Sequence, residues 1–92
     1  MDRSSTANRV SWLLIEKGWQ VVGTGAKDMG RVEEVVADTQ KDIFDGLAVS
    51  KGFFGKPRYV PAERITLIVE GRIETDLTRG DFEALRAYEP RR

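Results

Sequence analysis

The chain has 92 residues, of which 40% are hydrophobic and 33% are charged, and its 15 basic and 15 acidic residues cancel. This length suits one small domain, and the composition argues against general disorder. Because the net charge is zero, electrostatic attraction of the whole molecule to nucleic acid or anionic lipid is excluded. The absence of Cys and His removes thiol chemistry, thiolate metal sites and the commonest general base, so we expect a non-enzymatic protein with no cofactor and no metal.

Short apolar runs between glycine-bearing or polar breaks predict an all-β barrel or sandwich. Residues 1–9 are predicted to form a disordered tail, and residues 10–89 a single domain. The longest apolar run, at residues 12–15, is far shorter than the ~20 residues that a membrane helix needs, and no charged-then-apolar leader precedes it. We therefore expect a cytoplasmic protein without a membrane span.

The first half of the chain is predicted to supply two strands around a glycine-rich loop. A strand at residues 19–22 leads into the loop at residues 23–30, whose three glycines can adopt backbone angles that other residues avoid. Residues 31–38 place valines at helical spacing, but valine favours a pleated strand, and we predict a strand. A bulge at Glu33 and Glu34 would let Val32 and Val35 face the same core.

Two further strands are predicted in the middle of the chain. Residues 43–49 alternate so that Leu47 and Val49 share one face of a strand. Residues 58–60 begin another strand, and Pro61 should end its pairing because proline has no amide hydrogen to donate.

The clearest alternation comes in the last third of the chain. Residues 65–69 and 72–77 predict a hairpin that turns at residues 70–71. Its inward-facing side chains are predicted to be Ile65, Leu67, Val69, Ile73, Thr75 and Leu77. Thr78 and Asp81 then predict the capped start of a short helix that buries Phe82 and Leu85.

The pattern resembles the PRC-barrel family of small β-barrels. The resemblance spans residues 18–88 and runs through GWQVVGTGAKDMGRVEEVVAD, IFDGLAVSKGFFGKPRYVPAERI and GRIETDLT. Its most specific parts are DMGRV, similar to the family's turn into its second strand, and YVP, which precedes its fifth. The chain departs from the family at residues 25–26, where Gly-Ala stands in place of the common Asp-Gly.

The resemblance implies a closed or nearly closed six-stranded barrel with a short C-terminal helix and an N-terminal arm. Members of the family occur as the cytoplasmic domain of the reaction-centre H subunit, as the C-terminal domain of a ribosomal small-subunit maturation factor, and as stand-alone proteins. The role that the resemblance implies is adaptor-like binding, mostly to proteins, without known catalysis.

Two motifs allow a chemical interpretation beside a structural one. Residues 25–30 have the glycine spacing of a phosphate loop, but Arg31 and Val32 stand where lysine and a hydroxyl residue would be needed, which favours a plain turn. A set of carboxylates could offer oxygen ligands to a hard cation or act as an acid–base pair, but their spacing matches no calcium loop and solvated or paired carboxylates are favoured. The set comprises Glu33, Glu34, Asp38, Asp42 and Asp45.

Charge is unevenly placed along the chain. Residues 28–45 hold six acidic and two basic residues (−4), whereas residues 46–64 hold four basic and one acidic residue (+3). In one interpretation these charges pair across neighbouring strands. In the other they form a bipolar surface that orients a partner, and its positive end consists of Lys51, Lys56, Arg58 and Arg64.

The segment KGFFGKPRY contains the strongest candidates for a binding surface. Adjacent strand residues point to opposite faces, so an extended segment cannot bury both Phe53 and Phe54. Either a loop folds both rings onto a barrel end, or one ring serves an interface. Lys56, Arg58 and Tyr59 supply the aromatic and cationic composition that interface hot spots favour.

Trp12 is a second candidate for binding. A strand-like arm at residues 12–14 could cover a sheet edge of its own subunit or of a neighbour. We therefore predict a non-enzymatic adaptor barrel that binds an unidentified protein partner and can form a homodimer. The alternative is an RNA- or ribosome-associated module that uses the basic loop at residues 51–64.

Overall fold

The computed structural model describes residues 10–38, 40–51 and 55–89. The predicted tail at residues 1–9 and the candidate residues Phe53 and Phe54 lie outside this described part. The elements are the strands β1 (Gln20–Val22), β2 (Asp28–Asp38), β3 (Ile43–Ser50), β4 (Arg58–Pro61), β5 (Ile65–Val69) and β6 (Arg72–Thr75), and the helix α1 (Arg79–Ala84). This composition confirms the all-β fold with one short C-terminal helix. No helix within the described ranges is long and apolar enough to cross a bilayer.

The six strands form one curled sheet in the order β4-β3-β2-β1-β6-β5. Neighbours are antiparallel except β1 and β6, which are parallel. The two outer strands, β4 and β5, are joined in the chain by a single 3₁₀ turn, Ala62–Arg64. Because so short a connection holds the ends of β4 and β5 close together, the sheet has to curl into a barrel. No hydrogen-bonded ladder joins β4 to β5 among the described strands, so chain continuity and core packing hold the barrel together.

The core takes its side chains from every part of the sheet and from α1. The buried cluster consists of Ile15, Val21, Met29, Val32, Leu47, Val49, Val60, Ile73, Leu77 and Phe82. The predicted inward positions in β3, in β6 and in the segment that follows β6 are therefore confirmed. The bulge predicted in β2 is also confirmed, because the register with β3 shifts between Val32 and Glu34 and Val35 packs against the core.

The register of β5 differs from the predicted alternation. Ile65 pairs with Thr75 and Ile68 pairs with Ile73, with a shift after Ile65. Ile65 and Ile68 consequently pack against the core, and the prediction of an inward face formed by Ile65, Leu67 and Val69 is wrong for the last two. A bulge reverses the faces of the residues beyond it, and the period-2 pattern of the sequence does not reveal it.

Two boundaries in the N-terminal part also differ from the prediction. The strand β2 already begins at Asp28, so Met29 and Gly30 are buried strand residues and the loop is shorter than residues 23–30. The predicted strand-like arm is a 3₁₀ turn, Trp12–Leu14. Ser11 explains the turn, because its side chain accepts a hydrogen bond from the Leu13 amide at 3.1 Å and its carbonyl accepts one from the Leu14 amide at 3.0 Å.

The start of α1 is capped as predicted. The Asp81 amide donates to Thr78 Oγ1 at 3.0 Å, and the Thr78 amide donates to Asp81 Oδ2 at 3.1 Å. The bond from the Thr78 amide lowers the pKa of Asp81 below its ordinary value. Phe82 is buried, whereas Leu85 ends the helix as its C-cap and still packs against the core.

Candidate functional site

The C-terminal segment at residues 85–89 lies along the outer edge of β4. The Tyr59 amide donates to the Arg86 carbonyl at 3.0 Å, and the Tyr88 amide donates to the Pro57 carbonyl at 2.7 Å. These bonds give the edge strand a partner, which protects its backbone from pairing with another chain.

Two of the candidate cations hold this segment in place. Arg58 Nη1 donates to the Leu85 carbonyl at 2.7 Å. Lys56 forms an ion pair with Glu89, and this hydrogen bond lowers the pKa of Glu89. Because the Lys56–Glu89 pair is exposed to solvent, its contribution to stability is small.

A groove of about 420 Å³ opens between the end of β3, the start of β4 and α1. Its floor is apolar and includes Met29, Val49 and Phe82. Its rim carries four cations, Lys51, Lys56, Arg58 and Arg79, and one acid, Glu83. We call this site the cationic groove. Three of the residues predicted for binding therefore meet at one place.

Arg79 is a member of the groove that the sequence did not predict. It is the first residue of α1 and is separated in the chain from the basic loop by two strands. Nothing in the local sequence around Arg79 indicates that it lies close to Lys51. The proximity depends on the curl of the barrel, which brings the start of α1 to the end of β3.

Arg64, which was predicted to join the positive end, points elsewhere. Its Nε lies 2.6 Å from Asp76 Oδ1, and its Nη2 lies 3.7 Å from Asp81 Oδ2. The hydrogen bond to Asp76 raises the pKa of Arg64. Arg64 is thus engaged in ion pairs with carboxylates of neighbouring elements. Arg79, and not Arg64, joins the other three cations at the groove.

Tyr59 lies on the other face of β4 from Arg58, as strand alternation requires. Its hydroxyl donates to the Asp45 carbonyl at 2.8 Å, and its ring stacks on Tyr88 with 6.4 Å between the ring centroids. The Arg86 guanidinium lies 5.9 Å from the same ring. Burial raises the pKa of Tyr59, and the Asp45 carboxylate adds to the rise. Tyr59 therefore belongs to a second depression, of about 950 Å³, beside the C-terminal segment.

Three of the five carboxylates considered as cation ligands serve separate contacts. Glu33 lies 3.6 Å from Lys17, and Glu34 accepts a hydrogen bond from Tyr88 at 3.2 Å. Asp38 accepts bonds from two backbone amides of the turn that follows it. Among the residues that the structure describes, no group of three His, Cys, Asp or Glu side chains could hold a metal ion.

Trp12 lies at the end of the barrel where β3 begins. Its ring stacks on Phe44 with 5.3 Å between the centroids and 9° between the planes. Both rings pack against the core, so Trp12 contacts its own subunit. A register shift in β3 after Phe44 turns this ring towards the core, and the sequence pattern did not predict that shift.

Three large apolar side chains near this stacked pair are exposed. Leu13 is 63% exposed, Leu14 58% and Ile43 49%. Each is adjacent or nearly adjacent in the chain to one of the stacked rings. We call these three residues the apolar patch.

Comparison with known proteins agrees with this fold. A model of the PRC-barrel domain family matches residues 7–82. A search among curated proteins finds no match. The family match extends over all six strands and into α1, and it includes Met29, Val49, Lys51 and Arg79 of the cationic groove. The chain therefore belongs to the PRC-barrel domain family.

Proposed function

We propose that the chain is a non-enzymatic protein-binding module that docks an acidic, apolar segment of a partner in the cationic groove. The observation that carries this proposal is the apolar floor surrounded by four cations. Apolar contact supplies affinity, and the charged rim favours a partner of opposite charge and fixes its orientation. Membership of a family whose domains are generally non-catalytic binding modules supports the proposal.

The four cations of the rim have different roles in this proposal. Lys56 and Arg58 already hold the C-terminal segment through Glu89 and the Leu85 carbonyl. Within the described ranges, no carboxylate pairs with Lys51 or Arg79. Lys51 and Arg79 are therefore the cations that would meet the acidic groups of the partner.

A peptide-binding experiment tests the proposal. The probe is a fluorescein-labelled peptide with a Leu-Phe centre flanked by Glu and Asp, and its control is the same peptide with Lys in place of the acids. We expect the acidic peptide to bind the wild type and to bind the variant Lys51→Glu/Arg79→Glu at least about 10-fold more weakly. The variant Lys27→Glu/Arg72→Glu makes an equal change of charge at two exposed residues that do not line the groove, and it should bind like the wild type. Equal binding by the groove variant would contradict the proposal.

An RNA-associated function is the alternative. Lysine and arginine also bind phosphates, but RNA-binding surfaces combine them with aromatic rings on which bases stack. Tyr59 and Tyr88 stack on each other outside the groove, which favours a protein partner. Binding of a short single-stranded RNA with an affinity that falls linearly and steeply in log salt, without binding of the acidic peptide, would favour the alternative.

A further inference from the structure

We propose that the apolar patch of one copy of this chain docks in the cationic groove of a second copy, so that copies associate head to tail. This inference rests on the proposed function of the groove and names its partner. It is carried by three features: the position of the two surfaces, their apolar composition and their charge.

The two surfaces lie at opposite ends of the barrel. Strand β3 begins at Ile43, in the apolar patch, and ends at Ser50, next to Lys51 of the groove. Seven residue steps at about 3.3 Å each separate these ends by about 23 Å. One copy therefore cannot fill its own groove with its own patch.

The patch offers exposed apolar side chains that suit the apolar floor of the groove. Leu13, Leu14 and Ile43 are each about half exposed or more, and clusters of large exposed apolar side chains are uncommon on monomers. The groove floor of Met29, Val49 and Phe82 is apolar, and these three side chains are already almost fully buried. Docking in the groove would therefore remove the exposed side chains of the patch from water and place them against this apolar floor.

Charge favours this pairing over other pairings. The turn between β2 and β3 carries Asp38, Asp42 and, just beyond Ile43, Asp45, against a single cation, Lys41. Asp38 fixes the turn by accepting bonds from the amides of residues 40 and 41 at 3.1 and 3.2 Å. Asp38 is thus held in place at the patch end of the barrel, and the acids there are opposite in sign to the cations of the groove rim.

A symmetric dimer through the patch alone is less favourable. It would bring the acidic turns of both copies together, and like charges at an interface oppose binding. A patch-to-groove contact instead joins two different surfaces and leaves one of each free on the pair. Such heterologous contacts continue into rings or open chains.

Sedimentation velocity on the full chain tests the proposal through variants that lack one surface each. The patch variant is Leu13→Ser/Leu14→Ser, and the groove variant is Lys51→Glu/Arg79→Glu. We expect the wild type to form species larger than a dimer as its concentration rises, and each variant alone to remain a monomer. An equimolar mixture of the two variants should form a species of two chains and no larger, because only one intact patch and one intact groove can meet.

Each other outcome has a definite meaning. A groove variant that still dimerises alone, or a mixture that stays monomeric while the wild type associates, would overturn head-to-tail docking. A wild type that stays monomeric at all concentrations would also overturn it, whereas continued binding of the acidic peptide would preserve the proposed function of the groove.

One control variant and one variant of the acidic turn complete the test. The variant Lys27→Glu/Arg72→Glu should associate like the wild type. Asp45→Lys changes an exposed side chain beside the patch and should weaken wild-type association by about 10-fold. Urea midpoints show whether each variant remains folded, and all the substituted side chains are exposed.

Discussion

Replacement of Gly30 by alanine should destabilise the barrel far more than the same replacement at Gly71. Gly30 has a φ of +131°, and an added Cβ would lie 2.3 Å from the Ser50 carbonyl oxygen and 3.0 Å from its carbonyl carbon. Ser50 lies opposite Arg31 in the ladder between β2 and β3, so the clash cannot be relieved by rotation of a side chain. The backbone of one strand has to move.

The magnitude combines two effects. Left-handed strain costs about 1 to 3 kcal/mol, and displacement of a paired strand raises the expected loss to about 4 kcal/mol. A domain of this size has only about 5 to 10 kcal/mol of total stability. Gly71 has a φ of +85° with nothing within 4 Å of an added Cβ, so Gly71→Ala should cost only the strain of about 1 to 2 kcal/mol.

Urea unfolding followed by tryptophan fluorescence measures the difference between the two variants. With a slope of about 1 to 2 kcal/mol per molar urea, the midpoint of Gly30→Ala should lie at least about 1 M below that of Gly71→Ala. Equal midpoints would show that β3 accommodates the added methyl group, and the close approach would then not explain the glycine.

Three further predictions concern stability. Thr75 is 5% exposed, and Thr75→Val leaves a buried carbonyl and a buried amide without their partner, so it should cost about 1 to 3 kcal/mol in urea unfolding. The exposed control Thr66→Val should cost less. Asp81 has a lowered pKa, so its stabilisation is present above the ordinary carboxyl pKa of about 3.9 and is lost as the pH falls through the lowered value. The difference in urea midpoint between the wild type and Asp81→Asn should therefore vanish in acid. Trp12→Leu should lower stability by about 1 kcal/mol in thermal unfolding, because the ring stack is lost.

The sequence by itself determined the features that depend on short-range pattern. The alternation at residues 72–77 and the helix N-cap at Thr78, with Asp81 three residues later, were both predicted and both occur. Each depends on backbone periodicity or on hydrogen bonds within a few residues, and these act in the same way whatever surrounds the segment. The family resemblance predicted the barrel, and the match of the family model to residues 7–82 confirms this prediction.

Only the tertiary structure decided which distant residues meet. Arg64 ends the basic loop and Arg79 lies two strands beyond it, yet Arg64 pairs with Asp76 while Arg79 joins Lys51 at the groove. The register shift in β5 was also invisible in the sequence. Pairing register and barrel curvature are set by the packing of the whole core, and a shift of one residue reverses every face beyond it. The place of a charged side chain on the surface therefore follows from the sum of many contacts and not from its neighbours in the chain.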